Sequence, residues 1–376
     1  MTLYLDCNAS TPVEPRVLAA IVRCFESAYG NAGSPHEFGE RAKQLVHESR
    51  DRIATVVGAR RHEVLFTSGA TESNNLALLG LEPHARATGR MHIVSTAIEH
   101  KAVLEPLQAL QRRGFTITLV PPRVNGAIET DELLDAVRPD TLLVSVMQVN
   151  NETGVCQPIA AVAQGLAASH VLLHVDAAQG FAKNLAPLCH PRIDLIGISA
   201  HKIHGPQGVG ALVTRRRGGE LPPLSPLQFG GGQELGLRPG TLPVPLIVGF
   251  GVGAELAAAE AEERAAYCRR LKDQLLSRIE PLSPVIHGDP ALTLPHTLNV
   301  SFRGWDADQV IERLRGVAAV SDGSACTSVC ATASHVLSAM GVTPPALDGA
   351  MRISWSHLTD IRQFESALDQ LVVGLS

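Results

Sequence analysis

The sequence contains no apolar run long enough to cross a bilayer and no signal-peptide pattern at its start, so it reads as cytoplasmic, with no membrane as partner. It also lacks any Cys-x-x-Cys pair. Its seven cysteines, at 7, 24, 156, 189, 268, 326 and 330, are odd in number and irregularly spaced, which gives no sign of a zinc or redox centre and leaves mostly buried thiols as the expectation. There is no excess of positive charge. The net charge of −5 and pI near 6.3 argue against direct nucleic-acid binding. Arg215–Arg217 is the only compact basic cluster and reads as a solvated strand or loop end. Repeats and low-complexity tracts are absent too. Lysine is scarce, with five residues at 43, 101, 183, 202 and 272.

What is present is a long, apolar chain. Its 376 residues, 45% apolar and 18% charged, predict a substantial core in two domains or one large α/β unit with an appendage. A strand-then-helix rhythm fills the first two thirds. The apolar runs at 63–68, 91–97, 141–149, 171–177 and 194–199 each end in a polar cluster, and helix-like stretches separate the early ones. That pattern predicts parallel strands with helical crossovers. Ligands gather beyond the carboxyl ends of such strands. The Pro- and Gly-rich segment 221–245 reads as a structured excursion. The stretch 254–280 predicts one long amphipathic helix without a breaker, followed by short strands and helices of a smaller domain. The boundaries expected are 14–255 for the large domain and 1–13 plus 256–376 for the small one.

The polar clusters at the strand ends must be read together. "TSGATES" (67–73) offers backbone N–H groups at a helix start, an anion site, though a helix cap from Thr71 explains it equally well. "HVDAAQG" (174–180) places Asp176 at the end of an apolar strand, as a helix cap or as a carboxylate facing a protonated ring nitrogen. In "GISAHKIHGPQGVGAL" (197–212), Lys202 follows a strand end beside Ser199 and His201, where a lysine can shed its proton and form a Schiff base. Lys43 and Lys272 lie in charged helical segments and read as solvated, Lys101 begins a helix, and Lys183 has no polar company. Anion cradle, carboxylate and lysine on one parallel sheet fit pyridoxal 5′-phosphate, with His100 the candidate to cover its ring.

The sequence closely resembles the cysteine desulfurases of the NifS/IscS type, in the class-V aminotransferase family. The matching stretches are "LDCNASTPV", "FTSGATESNNLAL", "EHKAVL", "VNNETGV", "HVDAAQ", "SAHKIHGPQGVGAL", "GGGQELGLRPGTLPV", "SDGSACTS" and "MRIS", in family order from residue 3 to residue 354. The resemblance implies the fold-type I transferase architecture: a mainly parallel sheet flanked by helices, with a smaller α+β domain. It implies that Lys202 carries the cofactor and that Ala70, Thr71, Ser199 and His201 bind its phosphate, joined by Thr241 of a second subunit in a homodimer. Asp176 would pair with the pyridine nitrogen, Gln179 and Asn151 would bond around the ring, and His100 would stack on it. Arg352 would clamp the carboxylate of L-cysteine, assisted by Asn31 and Asn151. No metal is implied.

By the same resemblance, the thiolate of Cys326 takes the substrate's sulfur, leaving alanine and a persulfide that passes to an acceptor protein. Its setting, "SDGSACTSVC" (321–330), is made of small turn-forming residues suited to a thiol that must visit two places. Cys330, four residues on, either packs at the start of the next helix or exchanges sulfur with, or forms a disulfide to, Cys326. The chain departs from the usual pattern at His204, Gln207 and Gly33. Iron–sulfur assembly and DNA phosphorothioation are the two destinations expected for the sulfur. The alternatives are a selenocysteine lyase or another lyase or aminotransferase using the same cofactor, and a catalytically silent adaptor.

Overall fold

The computed structural model describes residues 2–322 and 333–375. The strands are β1 (Leu3–Tyr4), β2 (Val64–Thr67), β3 (His92–Thr96), β4 (Thr116–Val120), β5 (Thr141–Met147), β6 (Leu172–Asp176), β7 (Leu195–Ser199), β8 (Gly210–Thr214), β9 (Val285–Ile286), β10 (Thr297–Ser301), β11 (Ala318–Ala319) and β12 (Met351–Ser354). The α-helices are α1 (Pro15–Ser27), α2 (Glu37–Val57), α3 (Ala70–Leu79), α4 (Glu82–Thr88), α5 (Lys101–Arg112), α6 (Thr130–Asp135), α7 (Ile159–Gly165), α8 (Val244–Ala259), α9 (Ala261–Ile279), α10 (Ala307–Arg313), α11 (His335–Ala339) and α12 (Ile361–Leu375).

Seven strands form the central sheet in the order β2-β8-β7-β6-β5-β3-β4. All pairings are parallel except those of β8, which runs antiparallel to both β2 and β7. β2, β3, β5, β6, β7 and β8 are buried along their whole length, as expected of a sheet covered on both faces. One face packs against a cluster that includes Val46, Ile53, Phe181 and Phe250, the other against one that includes Leu76, Leu107 and Leu110. The parallel strands were legible because their apolar runs stop where the polar clusters begin.

A separate cluster gathers Leu3 and Leu5 with Cys268, Leu271, Trp355, Phe364 and Leu371. It covers the three-stranded antiparallel sheet β12-β10-β9, while β1 pairs with β11. The residue 254–280 stretch does not form one helix. α8 and α9 meet at Glu260 with a bend of 72°. At the bend, Glu260 accepts from Arg16 on α1 (2.6 and 3.0 Å) and from Arg264 one turn into α9 (2.8 Å). α8 turns into the core against α1 and α2. No single helix among the described residues is long and apolar enough to cross a membrane.

Three readings of basic residues are corrected. Arg215 is buried, with its guanidinium donating to the carbonyls of Val57, Leu188 and His190 (the last at 2.6 Å). Lys272 is buried and donates to Thr293 Oγ1. Lys183 has polar company after all, its Nζ 3.3 Å from His296 Nε2 in a small cavity also lined by Cys7 and Cys268. In each case the partner is distant in sequence, so no local pattern announces it.

Candidate active site

The carboxyl ends of the parallel strands open into a cavity of about 720 Å³. Ala70, Thr71, His100, Asn151, Asp176, Gln179, Ser199, His201, Lys202 and Arg352 all line it. Asn31 does not; it is exposed, and its Oδ1 accepts from Gly33 N at 2.9 Å. Thr241 is exposed, just before α8, and is likewise not part of the lining. Cys326 and Cys330 lie outside the described residues.

Each lining group has a local reason for its place. Gly69 caps α3 at φ +156°, a conformation that side chains disfavour, and it lets the chain turn sharply from β2 into the helix. The first-turn N–H groups of α3 then face the cavity beside Ser199. Thr71 does not cap the helix. Lys202 ends a short turn after β7, and its ammonium donates to the carbonyls of Asn8 and Ala9 (2.8 Å to Ala9). His201 beside it is held neutral, its pKa pushed down to about 4 by burial and by Lys202. His100 caps α5, its Nδ1 accepting from Ala102 N at 3.0 Å.

Asp176 closes β6. Burial pushes its carboxyl upward in pKa, while the N–H of Ala178 (2.9 Å to Oδ1), His100 and the amide of Asn74 (2.8 Å to Oδ2) oppose that. Of the two sequence readings of Asp176, a local cap is seen at Oδ1, which holds the turn after β6, while Oδ2 accepts from Asn74. Arg352 projects from β12, with Nη1 donating to Asn151 O (2.9 Å) and Nη2 to Asp6 Oδ1 (2.7 Å). Ser321 exchanges backbone bonds with Arg352 (2.7 and 3.2 Å), and Ser334 and His335 line the cavity. Of the described flanks of the Cys326 segment, the later one lines the cavity and the earlier one pairs with the strand that carries Arg352.

The lining fits a planar, anionic, carbonyl-bearing group. Buried Gln179 Oε1, Asn8 Oδ1 and Arg352 Nε lack hydrogen-bond partners among the described residues, so polar capacity is left for a ligand. A cationic amine, a buried carboxylate and a helix N-terminus match the carbonyl, ring nitrogen and phosphate of pyridoxal phosphate. Sequence reasoning missed Asn8 and Asn74, which line the cavity, and the buried His174 and Glu99, which do not. His174 lies two residues before Asp176 on the same strand face, and Asn74 lies one turn after Thr71; both periodicities were available as signals. Gln207, at a departure from the usual pattern, donates to Ser10 Oγ (3.1 Å) at the cavity wall, and His204 is buried against His357.

Comparison with known proteins shows the family. Residues 3–365 match the family "Aminotransferase class-V". The cysteine desulfurase IscS of Enterobacter sp. is 41% identical over 96% of this chain and 89% of its own length. Among solved structures, a NifS-like protein superposes with a TM-score of 0.92 at 36% identity, covering 99% of both chains. DndA from Streptomyces lividans superposes at 0.83 with 47% identity, covering 93% of this chain and 98% of its own. The chain therefore belongs to the class-V aminotransferase family, in its cysteine desulfurase branch.

Proposed function

We propose that this cysteine desulfurase binds pyridoxal phosphate in the 720 Å³ cavity and collects sulfur on Cys326. The observation that carries the reading is the convergence of Lys202, Asp176 and Arg352 on one cavity that is lined by Ser334 and His335, after the Cys326 segment, while Ser321, before it, is backbone-bonded to Arg352. Pyridoxal phosphate, when bound, supplies an electron sink for the bonds of an attached amino acid. Lys202 would hold it covalently and, once displaced, carry protons to and from the substrate. Ala70, Thr71, Ser199 and His201 would hold its phosphate, and Gln179, Asn151 and His100 its ring. Asp176 would hold the proton of its ring nitrogen. Arg352 orients the cysteine carboxylate. The Cys326 thiolate takes the substrate sulfur: an S–S bond forms as the C–S bond breaks, and the carbon skeleton keeps the electron pair, gains protons and leaves as alanine.

The division into 14–255 and 1–13 with 256–376 is supported in outline by the separate apolar clusters, although Ala257 packs with the large-domain cluster and α8 runs on to Ala259. A second subunit, bringing Thr241 to its neighbour, is supported by the exposed stripe Leu18, Val22, Phe25 and Tyr29 on and just beyond α1. The protein acceptor of the persulfide belongs to iron–sulfur assembly or DNA phosphorothioation, and the 47% identity to DndA favours the latter. The test is to load the protein with pyridoxal phosphate, add cysteine and analyse Cys326 by mass spectrometry. One added sulfur atom is expected in the wild type and none in Lys202→Ala. Cys326→Ser should keep the yellow cofactor and lose alanine formation. Undiminished turnover in Cys326→Ser would sink the assignment and point to a simple lyase or aminotransferase.

A further inference from the structure

Behind Asp176 runs a chain of buried hydrogen bonds that no step above uses. We infer that Ser145, His174 and Asn74 form a relay that keeps Asp176 ionised and fixed in place, with His174 its positioning residue. The inference rests on the reading that Asp176 faces the cofactor's ring nitrogen.

The bonds can be oriented one after another. Asn74 Nδ2 lies 2.8 Å from Asp176 Oδ2. An ionised carboxylate only accepts, so the amide nitrogen must face it, and Asn74 Oδ1 is turned the other way. That oxygen lies 3.2 Å from His174 Nε2. A carbonyl oxygen only accepts, so Nε2 carries the imidazole proton. His174 is fully buried on β6, and burial pushes its pKa down to about 3, so the ring is neutral and has no second proton. Its Nδ1 is then a bare lone pair, and it accepts from Ser145 Oγ at 2.8 Å. Ser145 is itself held in register, its carbonyl accepting from Ser95 Oγ at 2.8 Å. Only one tautomer and one amide orientation satisfy every group in the chain.

The packing leaves room for this chain and little else. β7 places Gly197 opposite Asp176, and a Cβ at 197 would stand 2.1 Å from Asn74 Oδ1. His174 does not line the cavity, so it acts through Asn74. The charged and titratable groups around Asp176 are Lys202 after β7, His100 at the start of α5, and buried Glu99 just before it. The first two favour the carboxylate. Glu99 stands against it when ionised. Of the donors to its oxygens, Asn74 is the one whose orientation depends on a histidine tautomer.

The inference is tested on the holoprotein with pyridoxal phosphate carrying a ¹⁵N ring nitrogen. Wild type should show a protonated nitrogen by NMR, and Asp176→Asn should abolish it. His174→Leu should move the signal toward the unprotonated position and weaken cofactor binding at least about tenfold, or ~1.4 kcal/mol. His174→Gln, which restores an N–H donor, should recover both. If Asp176→Asn leaves the signal unchanged, the reading of Asp176 fails and the relay with it. If Asp176→Asn acts but His174→Leu matches wild type, the relay alone is overturned. Should His174→Leu not fold, the imidazole ¹⁵N signals of His174 in wild type decide: an Nε2–H tautomer that does not titrate across the neutral range supports the relay, and an Nδ1–H tautomer or a titrating ring refutes it.

Discussion

Arg352 is oriented before any substrate arrives. Two of its nitrogens are engaged by Asn151 O and Asp6, and its buried Nε lacks a partner among the described residues. A lysine at this position offers a single point charge and cannot serve Asp6, Asn151 and a carboxylate together. Arg352→Lys is therefore expected to raise KM for cysteine about tenfold or more, a loss of ~1.4 kcal/mol per tenfold, with a smaller effect on kcat. Steady-state kinetics against cysteine concentration checks it. At this scale the sequence was legible where chemistry and position coincide. Lys202, Asp176 and Arg352 stand at strand ends or on a strand, inside recognisable motifs. It was illegible where a backbone atom does the work: the carbonyls of Asn8 and Ala9 that receive the Lys202 amine leave no trace in composition or periodicity. Lys183 was misread for the related reason that His296, its partner, lies 113 residues away.

Elements are fastened to one another by a few buried charge pairs. The clearest is Glu234 in the 221–245 excursion, where it and Leu235 adopt positive φ (+49° and +59°). Its carboxylate takes both guanidinium nitrogens of Arg50 (2.7 and 2.6 Å) and the N–H of Phe66 on β2 (2.7 Å). Glu234→Gln leaves the mostly buried Arg50 cation without its anion, and removal of one partner of such a pair costs roughly 3 kcal/mol. The expected result is that loss in denaturant unfolding, with faster protease cleavage inside 221–245. Unchanged values on both measurements would refute the anchor. The excursion was visible in the sequence as a Pro- and Gly-rich tract. Its anchor was not, because a lone Glu among glycines carries no period. The break between α8 and α9 was hidden likewise, since helix formers run through residues 254–280 with no Gly or Pro at the bend.

For the whole molecule, the buried carboxyl of Glu99 sets a dependence of stability on pH. Burial pushes its pKa from an ordinary 4.5 up to about 8, while its Oε1 accepts from Thr96 Oγ1 (2.7 Å) and Met147 N (2.8 Å). The folded protein keeps a proton that the unfolded chain releases above 4.5. Its contribution to stability is thus complete below that pH and is lost as pH rises toward about 8, at up to about 1.4 kcal/mol per pH unit. Glu99→Gln keeps the accepting oxygen and has no proton to lose. Its unfolding free energy, measured across this window, should decline less steeply than that of the wild type. An identical slope would show that Glu99 is ionised in the folded state.

The segment from Asp6 to Thr11 touches several groups of the site. It receives the Lys202 amine, pairs with Arg352, accepts from Gln179 at Asn8 O (2.9 Å) and donates from Thr11 to His201 O (2.8 Å). These few residues tie Lys202, the proposed cofactor anchor, to Arg352, the proposed clamp for the substrate carboxylate. On the proposed roles of Lys202 and Arg352, a change to residues 6–11 would therefore reach both ends of the reaction at once.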